Sequence, residues 1–247
     1  MSDPIRPYVL SAHQSGLTIG LDGRLAWPAG VTRRHKVAIY GAGGWRGMLR
    51  DGIFDNDDWI IFSLNNFWNT SRDSTDALRA DVWWELHQIS PDPCGPEAGR
   101  AIQDRWDMRW LATCPVPIYV AEPYPINRKA TVWPVADYAR LCGRKYIACT
   151  FAAQLMTVLA EGFGEVAIYG LDLLAGTRRE ATVEASCVAY WLGVLEGRGV
   201  KITISDHDDG RAQFLLTHPF VYGIEYWLER RWVERYLRRW PDLPEAI

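Results

Sequence analysis

The sequence predicts an α/β fold: a single Rossmann-like domain with a mostly parallel sheet and helices on both faces. Three observations predict it. Short apolar runs alternate with segments of helical period, and parallel strands need crossover connections of that kind. The stretch from Tyr146 to Asp172 reads as an amphipathic helix, a glycine turn and a buried strand that ends in an acidic residue. A glycine cluster, Gly41-Ala42-Gly43-Gly44, directly follows the first strand.

The elements follow in order. Residues 1–35 are mixed and Gly-rich without a sustained period, and are read as an N-terminal extension packed on the main domain. Lys36 to Tyr40 (K-V-A-I-Y) is the first strand, and a short helix through Met48 and Leu49 follows the glycine turn. Asp58 to Leu64 is a second strand, Ala80 to Leu86 a third, and Glu97 to Leu111 a helix. Val116 to Val120 is a fourth strand, entered through Pro115 and left through Glu122-Pro123. Phe151, Leu155, Val158 and Leu159 fall at helical spacing, Gly162 and Gly164 stop that helix, and Val166, Ile168 and Tyr169 form the next strand. Asp172 lies just past its carboxyl end, where ligands bind in open α/β sheets. A helix from Glu180 to Leu195, closed by Gly197 and Gly199, leads to a last parallel strand, Val200 to Ser205. Gly223 to Trp240 is a C-terminal helix ended by Pro241. The nucleotide-donor-binding domain is thus residues 36–222, and residues 223–247 supply an amphipathic helix of the same domain.

Composition narrows the function classes. With 247 residues, 48% hydrophobic and 23% charged, the chain is an ordinary globular one. It has no run of eighteen apolar residues and no basic-then-apolar leader, so a cytoplasmic protein without a membrane partner is expected. Five cysteines (Cys94, Cys114, Cys142, Cys149, Cys187), odd in number and without a C-x-x-C pair, read as reduced thiols. A net charge of −3 excludes a nucleic-acid coat and leaves only a local patch for anionic partners. Thirteen tryptophans read mainly as core and rim, with Trp68 and Trp84 as the candidates for a stacking platform.

Four constellations sit at strand ends. Gly41-Ala42-Gly43-Gly44 presents backbone N–H groups at a helix start and suits a phosphate, although an ordinary βα turn accounts for it equally. Its spacing matches neither G-x-G-x-x-G nor a P-loop. Asn65 and Asn66 follow the second strand, and a neutral amide there can hold a ribose hydroxyl or base edge, or can simply cap a turn. Glu85 and His87, two residues apart on a strand, point to one side, so Glu85 can orient His87 as a general base; a surface strand end is the alternative. Asp206-His207-Asp208-Asp209-Gly210 has spacing that can hold Mg or Mn against a diphosphate, but reads better as a solvated turn, and no metal ligand is assigned.

Gly41-Ala42-Gly43-Gly44, Leu64-Asn65-Asn66-Phe67, and Thr150 to Asp172 with its G-L-D ending together resemble the bacterial sialyltransferases of glycosyltransferase family 42. The related 6-hydroxymethylpterin diphosphokinase-like proteins share the outline, as do bacteriophage proteins of similar layout. The resemblance spans residues 36–205 and is one of pattern. It implies a sialyltransferase-like fold and a nucleotide-activated donor, with the glycine turn on the donor phosphate, Asn65 on nucleotide and donor, and Thr150 touching the donor at a helix start. Two departures matter. The family's Asn in the glycine turn is Ala42 here, and its catalytic His has no counterpart, since no His occurs from residue 88 to 206. Sialic acid is therefore not the expected donor, and the base comes from His87, Asp172, Glu180 or Glu184.

The expected function is a transferase with a nucleotide-activated donor, a nucleotide sugar before others, and a hydroxyl acceptor; a phage-type DNA-base glycosyltransferase is one version. Diphosphate transfer from ATP with Mg, and a non-catalytic nucleotide-binding module, are the alternatives. A homo-oligomer is compatible with the sequence. On the C-terminal helix, Tyr226, Val233, Leu237 and Trp240 form one stripe, and Arg230, Arg231, Arg235, Arg238 and Arg239 a basic remainder, which reads as a solvated face or as a DNA contact.

Overall fold

A computed structural model describes residues 11–12, 15–41, 44–65, 79–87, 114–123, 127, 130–171 and 178–205, without the side chains of 11, 12, 45 and 178–181. Seven parallel strands form the main sheet: β1 (Lys36–Tyr40), β2 (Trp59–Leu64), β3 (Val82–Glu85), β4 (Ile118–Val120), β5 (Ala130–Val132), β6 (Glu165–Tyr169) and β7 (Lys201–Ile204). The helices are α1 (Trp45–Arg50), a 3-10 turn at Ile53–Asp55, α2 (Val135–Cys142), α3 (Thr150–Ala160) and α4 (Arg178–Gly197).

The spatial order is β7-β6-β1-β2-β3-β4-β5. From β1 the chain walks outward to β5, then returns to lay β6 on the other flank of β1, in register from Glu165↔Lys36 to Tyr169↔Tyr40. Strand order therefore reverses between β1 and β6, the position at which open α/β sheets leave a crevice beyond the strand ends.

Both faces of the sheet are covered, which is why β1, β2 and β6 are nearly continuous apolar runs. Val37, Ile39, Ile60, Phe62, Val166 and Ile168 pack with α3 and α4 on one face; Ala38, Tyr40, Ile61, Ala167 and Tyr169 pack with Met48, Ile53 and Phe54 on the other. The alternation is the period-two geometry of a strand. Each fully buried Ile or Phe there contributes about 1.5–3 kcal/mol relative to exposure. Helix α3 follows from its sequence: Phe151, Leu155 and Val158 are buried, and the chain turns at Gly162, whose φ of 71° only glycine adopts freely.

Several sequence expectations change. The run from Ala80 to Leu86 is not one strand. Arg79 and Ala80 pair with Ser11 and Ala12 instead, and at Asp81 the carboxylate replaces a ladder partner, accepting the Ile61 N–H at 2.7 Å and the Ser15 hydroxyl. Strand β5 and helix α2 were not expected at all. Trp84 is fully buried, its ring 4.4 Å from Phe62 and 5.0 Å from Tyr119 between centroids, so it is a core residue and not a stacking platform. Trp68, the helices expected at 97–111 and 223–240, and the acidic loop at 206–210 lie outside the described residues.

The short hairpin ahead of β1, Thr18–Ile19 with Leu25–Ala26, lies on the α3 side and puts Leu17 and Leu25 into the core. The Tyr119 hydroxyl donates to Gly23 O at 2.7 Å, and Arg24 donates to the Glu161 carboxylate at 3.0 Å and to Ala160 O at 3.1 Å. Tyr138 donates to the same Glu161 oxygen at 2.9 Å. A cation is thereby fixed at the C-terminal end of α3, where the helix dipole favours it. Among the described residues, no helix is long and apolar enough to cross a membrane.

Candidate functional site

All seven strands point the same way, so Gly41, Asn65, Glu85, Gly170 and Ser205 emerge at one edge, and the N-terminus of α3 reaches that edge too. The glycine turn is built for contact. Gly41 N–H donates to Tyr169 O at 2.9 Å. A Cβ at Gly41 would lie 2.5 Å from Gly170 O and 2.8 Å from Phe151 Cζ, and one at Gly44 would lie 2.5 Å from Tyr169 C. These glycines let the start of α1 rest on the end of β6 backbone to backbone, which is a packing role at the crevice between β1 and β6. Ala42 and Gly43, between them, lie outside the described residues.

Asn65 ends β2 with a left-handed backbone, φ 52°, the one non-glycine positive φ among the described residues. Three bonds hold it there: its N–H donates to Trp84 O at 2.8 Å, its carbonyl accepts from Trp83 Nε1 at 3.0 Å, and its Oδ1 accepts from Thr150 Oγ1 at 3.3 Å. Asn tolerates this conformation better than other side chains, and an over-determined local strain of this sort is characteristic of sites. The two polar side chains expected to meet a donor, Asn65 and Thr150, are thus brought together from positions far apart in sequence. Among the described residues Asn65 Nδ2 donates to none. Asn66 lies outside the described residues.

Thr150 is the first residue of α3, whose N-cap, Cys149, is extended and makes no close side-chain cap bond. The N–H groups of Phe151 and Ala152 point at the Cys149 sulfur, but burial dominates and pushes that thiol up to about 12. It is therefore a protonated, unreactive thiol at neutral pH. Gln154, one turn further along, is completely buried; its Nε2 donates to Ser63 O at 3.0 Å, while its Oε1 has no partner among the described residues. Sequence reasoning passed over this residue, although a lone amide in T-F-A-A-Q-L-M-T-V-L-A was a visible signal.

The next strand supplies the ionisable pair. Glu85 is buried, with 6% of its side chain exposed, against 49% for His87, and its Oε1 lies 2.5 Å from His87 Nδ1. The same oxygen accepts the His87 backbone N–H at 3.2 Å. The two do not share a strand face as expected: β3 stops at Glu85, and a tight local turn folds the imidazole back onto the carboxylate. Asn65 and Glu85 are neighbours across the β2–β3 ladder, since Leu64 pairs with Trp84 in register.

Of the remaining expected bases, one side chain is described. Glu184 is half-buried on α4, close enough to the Cys149 and Cys187 thiols to raise both. The side chain of Glu180, and all of Asp172, lie outside the described residues. Among the described residues no group of three or more His, Cys, Asp or Glu side chains gathers to hold a metal ion. No protein-family model, no curated protein and no solved structure matches this chain.

Proposed function

We propose that the chain is a group transferase that binds a nucleotide-activated donor, a nucleotide sugar before others, over the carboxyl edge of β1, β2 and β6. The observation that carries this reading is the Glu85–His87 pair, 2.5 Å between Oε1 and Nδ1, beside the Asn65–Thr150 pair. A buried carboxylate that accepts a hydrogen bond from Nδ1–H keeps the proton on Nδ1 and the lone pair on Nε2, the arrangement of a general base. His87 then removes the proton from an acceptor hydroxyl, and Glu85 stabilises the imidazolium that results. Asn65, through its amide, and Thr150, through its hydroxyl at the start of α3, hold ribose or phosphate oxygens of the donor; the positive end of α3 favours the charge on the leaving group. Cys149 takes no part, being protonated.

The test is a thermal-shift panel of nucleoside mono- and diphosphates, nucleotide sugars, ATP and NAD, followed by turnover assays with whichever donor binds. A true ligand at 100 times its Kd stabilises by about 2.7 kcal/mol. With that donor, His87→Ala should lower kcat by about 10²–10⁴-fold, and Glu85→Gln should lower kcat with little change in KM. A panel in which no nucleotide sugar shifts the melting temperature overturns the reading. Stabilisation by ATP with Mg alone would assign diphosphate transfer instead.

A further inference from the structure

We propose that the outer face made by the α2–α3 loop and α4 binds single-stranded nucleic acid. Tyr146 and Tyr190 form an edge-to-face pair, centroids 5.5 Å apart and planes at 68°, and remain 38% and 36% exposed. The pair is held rigidly. Tyr190 packs edge-on against Trp191 at 5.1 Å, and Trp191 Nε1 donates to Tyr146 O at 2.6 Å. The Cys187 thiol donates to the same carbonyl at 3.2 Å. Two tyrosines fixed by their backbone and neighbours, with ring surface left in water, are a ready platform for unstacked bases.

The charge around the platform has the sign a phosphate chain needs. Arg144 and Lys145, immediately before Tyr146, are exposed and form no ion pair among the described residues. Arg198, just beyond α4, is exposed and lies near Cys142 at the other end of the loop. The carboxylates of α4 leave the strip clear: between Glu184, half-buried beside the thiols, and Glu196, near the far end, the helix carries none, and its outward positions are Ser186, Tyr190 and Gly193. A whole-chain charge of −3 makes three cations beside an aromatic pair a local feature, not a general property. A duplex would offer such rings no base faces, and a neutral glycan would make no use of the cations. The surface is independent of the transfer reading; if both hold, the acceptor is a nucleic acid delivered along this face toward the start of α3.

The experiment is fluorescence anisotropy of a labelled oligothymidylate with the full chain, no donor present, across a salt series. Binding at low salt that weakens with salt is expected. Arg144→Gln with Lys145→Gln should flatten the log–log salt slope by about 1.4, two phosphate contacts on a single strand. Tyr190→Ala should weaken binding by about tenfold at fixed salt while leaving the slope unchanged. Both changes are at exposed positions, and the charge variant removes no packing, so its result stands even if Tyr190→Ala proves unstable. No binding at low salt, a slope that ignores the charge variant, or a duplex that binds as well as the single strand overturns the proposal, whatever the donor panel shows.

Discussion

Asn65 offers the sharpest test, because its backbone and side chain can be separated. Replacement by alanine keeps a Cβ in a left-handed backbone at φ 52° but removes the amide. It forfeits the bond from Thr150 Oγ1, worth about 0.5–1.5 kcal/mol net. It also loses the local polar compensation that makes this conformation tolerable for Asn, at about 1–2 kcal/mol. Asn65→Ala should therefore cost about 1.5–3.5 kcal/mol, and lower the melting temperature by roughly 3–14 °C in a chain of this size. Glycine forfeits the same bond but relieves the backbone, so Asn65→Gly should remain within about 1 kcal/mol of the parent. The bonds to Trp84 O and from Trp83 Nε1 run through the main chain and survive in both. Urea denaturation of the three proteins reads the stabilities, and calorimetry with the best nucleotide from the panel reads affinity, which should drop by about 5–150-fold in both variants. Equal destabilisation by alanine and glycine would refute the backbone account. A glycine variant that binds as tightly as the parent would remove Asn65 from the site.

Two further expectations concern the frame around the site. Gly44→Ala drives a methyl to 2.5 Å from Tyr169 C and should cost at least about 1–3 kcal/mol, whereas Gly193→Ala, in the body of α4 with none of the described residues within 4 Å of the added carbon, should stabilise by about 0.5–1 kcal/mol; chemical denaturation that ranks the pair the other way contradicts the packing described. Burial pushes the Cys142 thiol up to about 11 and the Cys149 thiol to about 12, from 9.0, and raises the phenols of Tyr40, Tyr119 and Tyr138. Each group holds its proton more tightly when folded, so this stabilisation is complete below pH 9 and drains away as pH rises from there toward the folded values. Melting temperatures should be level from pH 7 to about 8.5 and fall above it; a flat profile to pH 10.5 would mean that these groups are not buried in solution.

The elements that were legible in the sequence are those whose pattern burial leaves undistorted. K-V-A-I-Y, W-I-I-F-S-L and E-V-A-I-Y are covered on both faces, and α3 is apolar almost all round between clear stops. Strand β5 is three residues, none of them fully buried, and had no period to read; α2 did carry one, with Val135, Tyr138, Ala139 and Cys142 at i, i+3, i+4 and i+7 between Pro134 and Gly143, and sequence reasoning passed over it. Glycine spacing marked the carboxyl end of β1, where Gly41 and Gly44 serve a purpose that spacing cannot express, the approach of one backbone to another. The Thr150–Asn65 bond joins residues 85 apart, and nothing local signals it. The Glu85–His87 contact was legible as a pair and misread as a strand face, because β3 ends one residue sooner than its hydrophobicity suggests.

The position of β1 also dictates when the protein can finish folding. Its two neighbours follow it at very different distances along the chain: β2 comes after about 20 residues, but β6 begins only at Glu165. As the polypeptide leaves the ribosome, one flank of K-V-A-I-Y finds its partner early and the other stays open while about 125 more residues are made. At about 5–20 residues per second that is on the order of 6–25 seconds during which an apolar strand edge is unpaired at the heart of the nascent sheet. Such an edge is a template for pairing with another chain. The period between synthesis of β1 and arrival of β6 is therefore when this protein is most exposed to misassembly and to capture by holding chaperones, and synonymous codons that slow translation there would lengthen it.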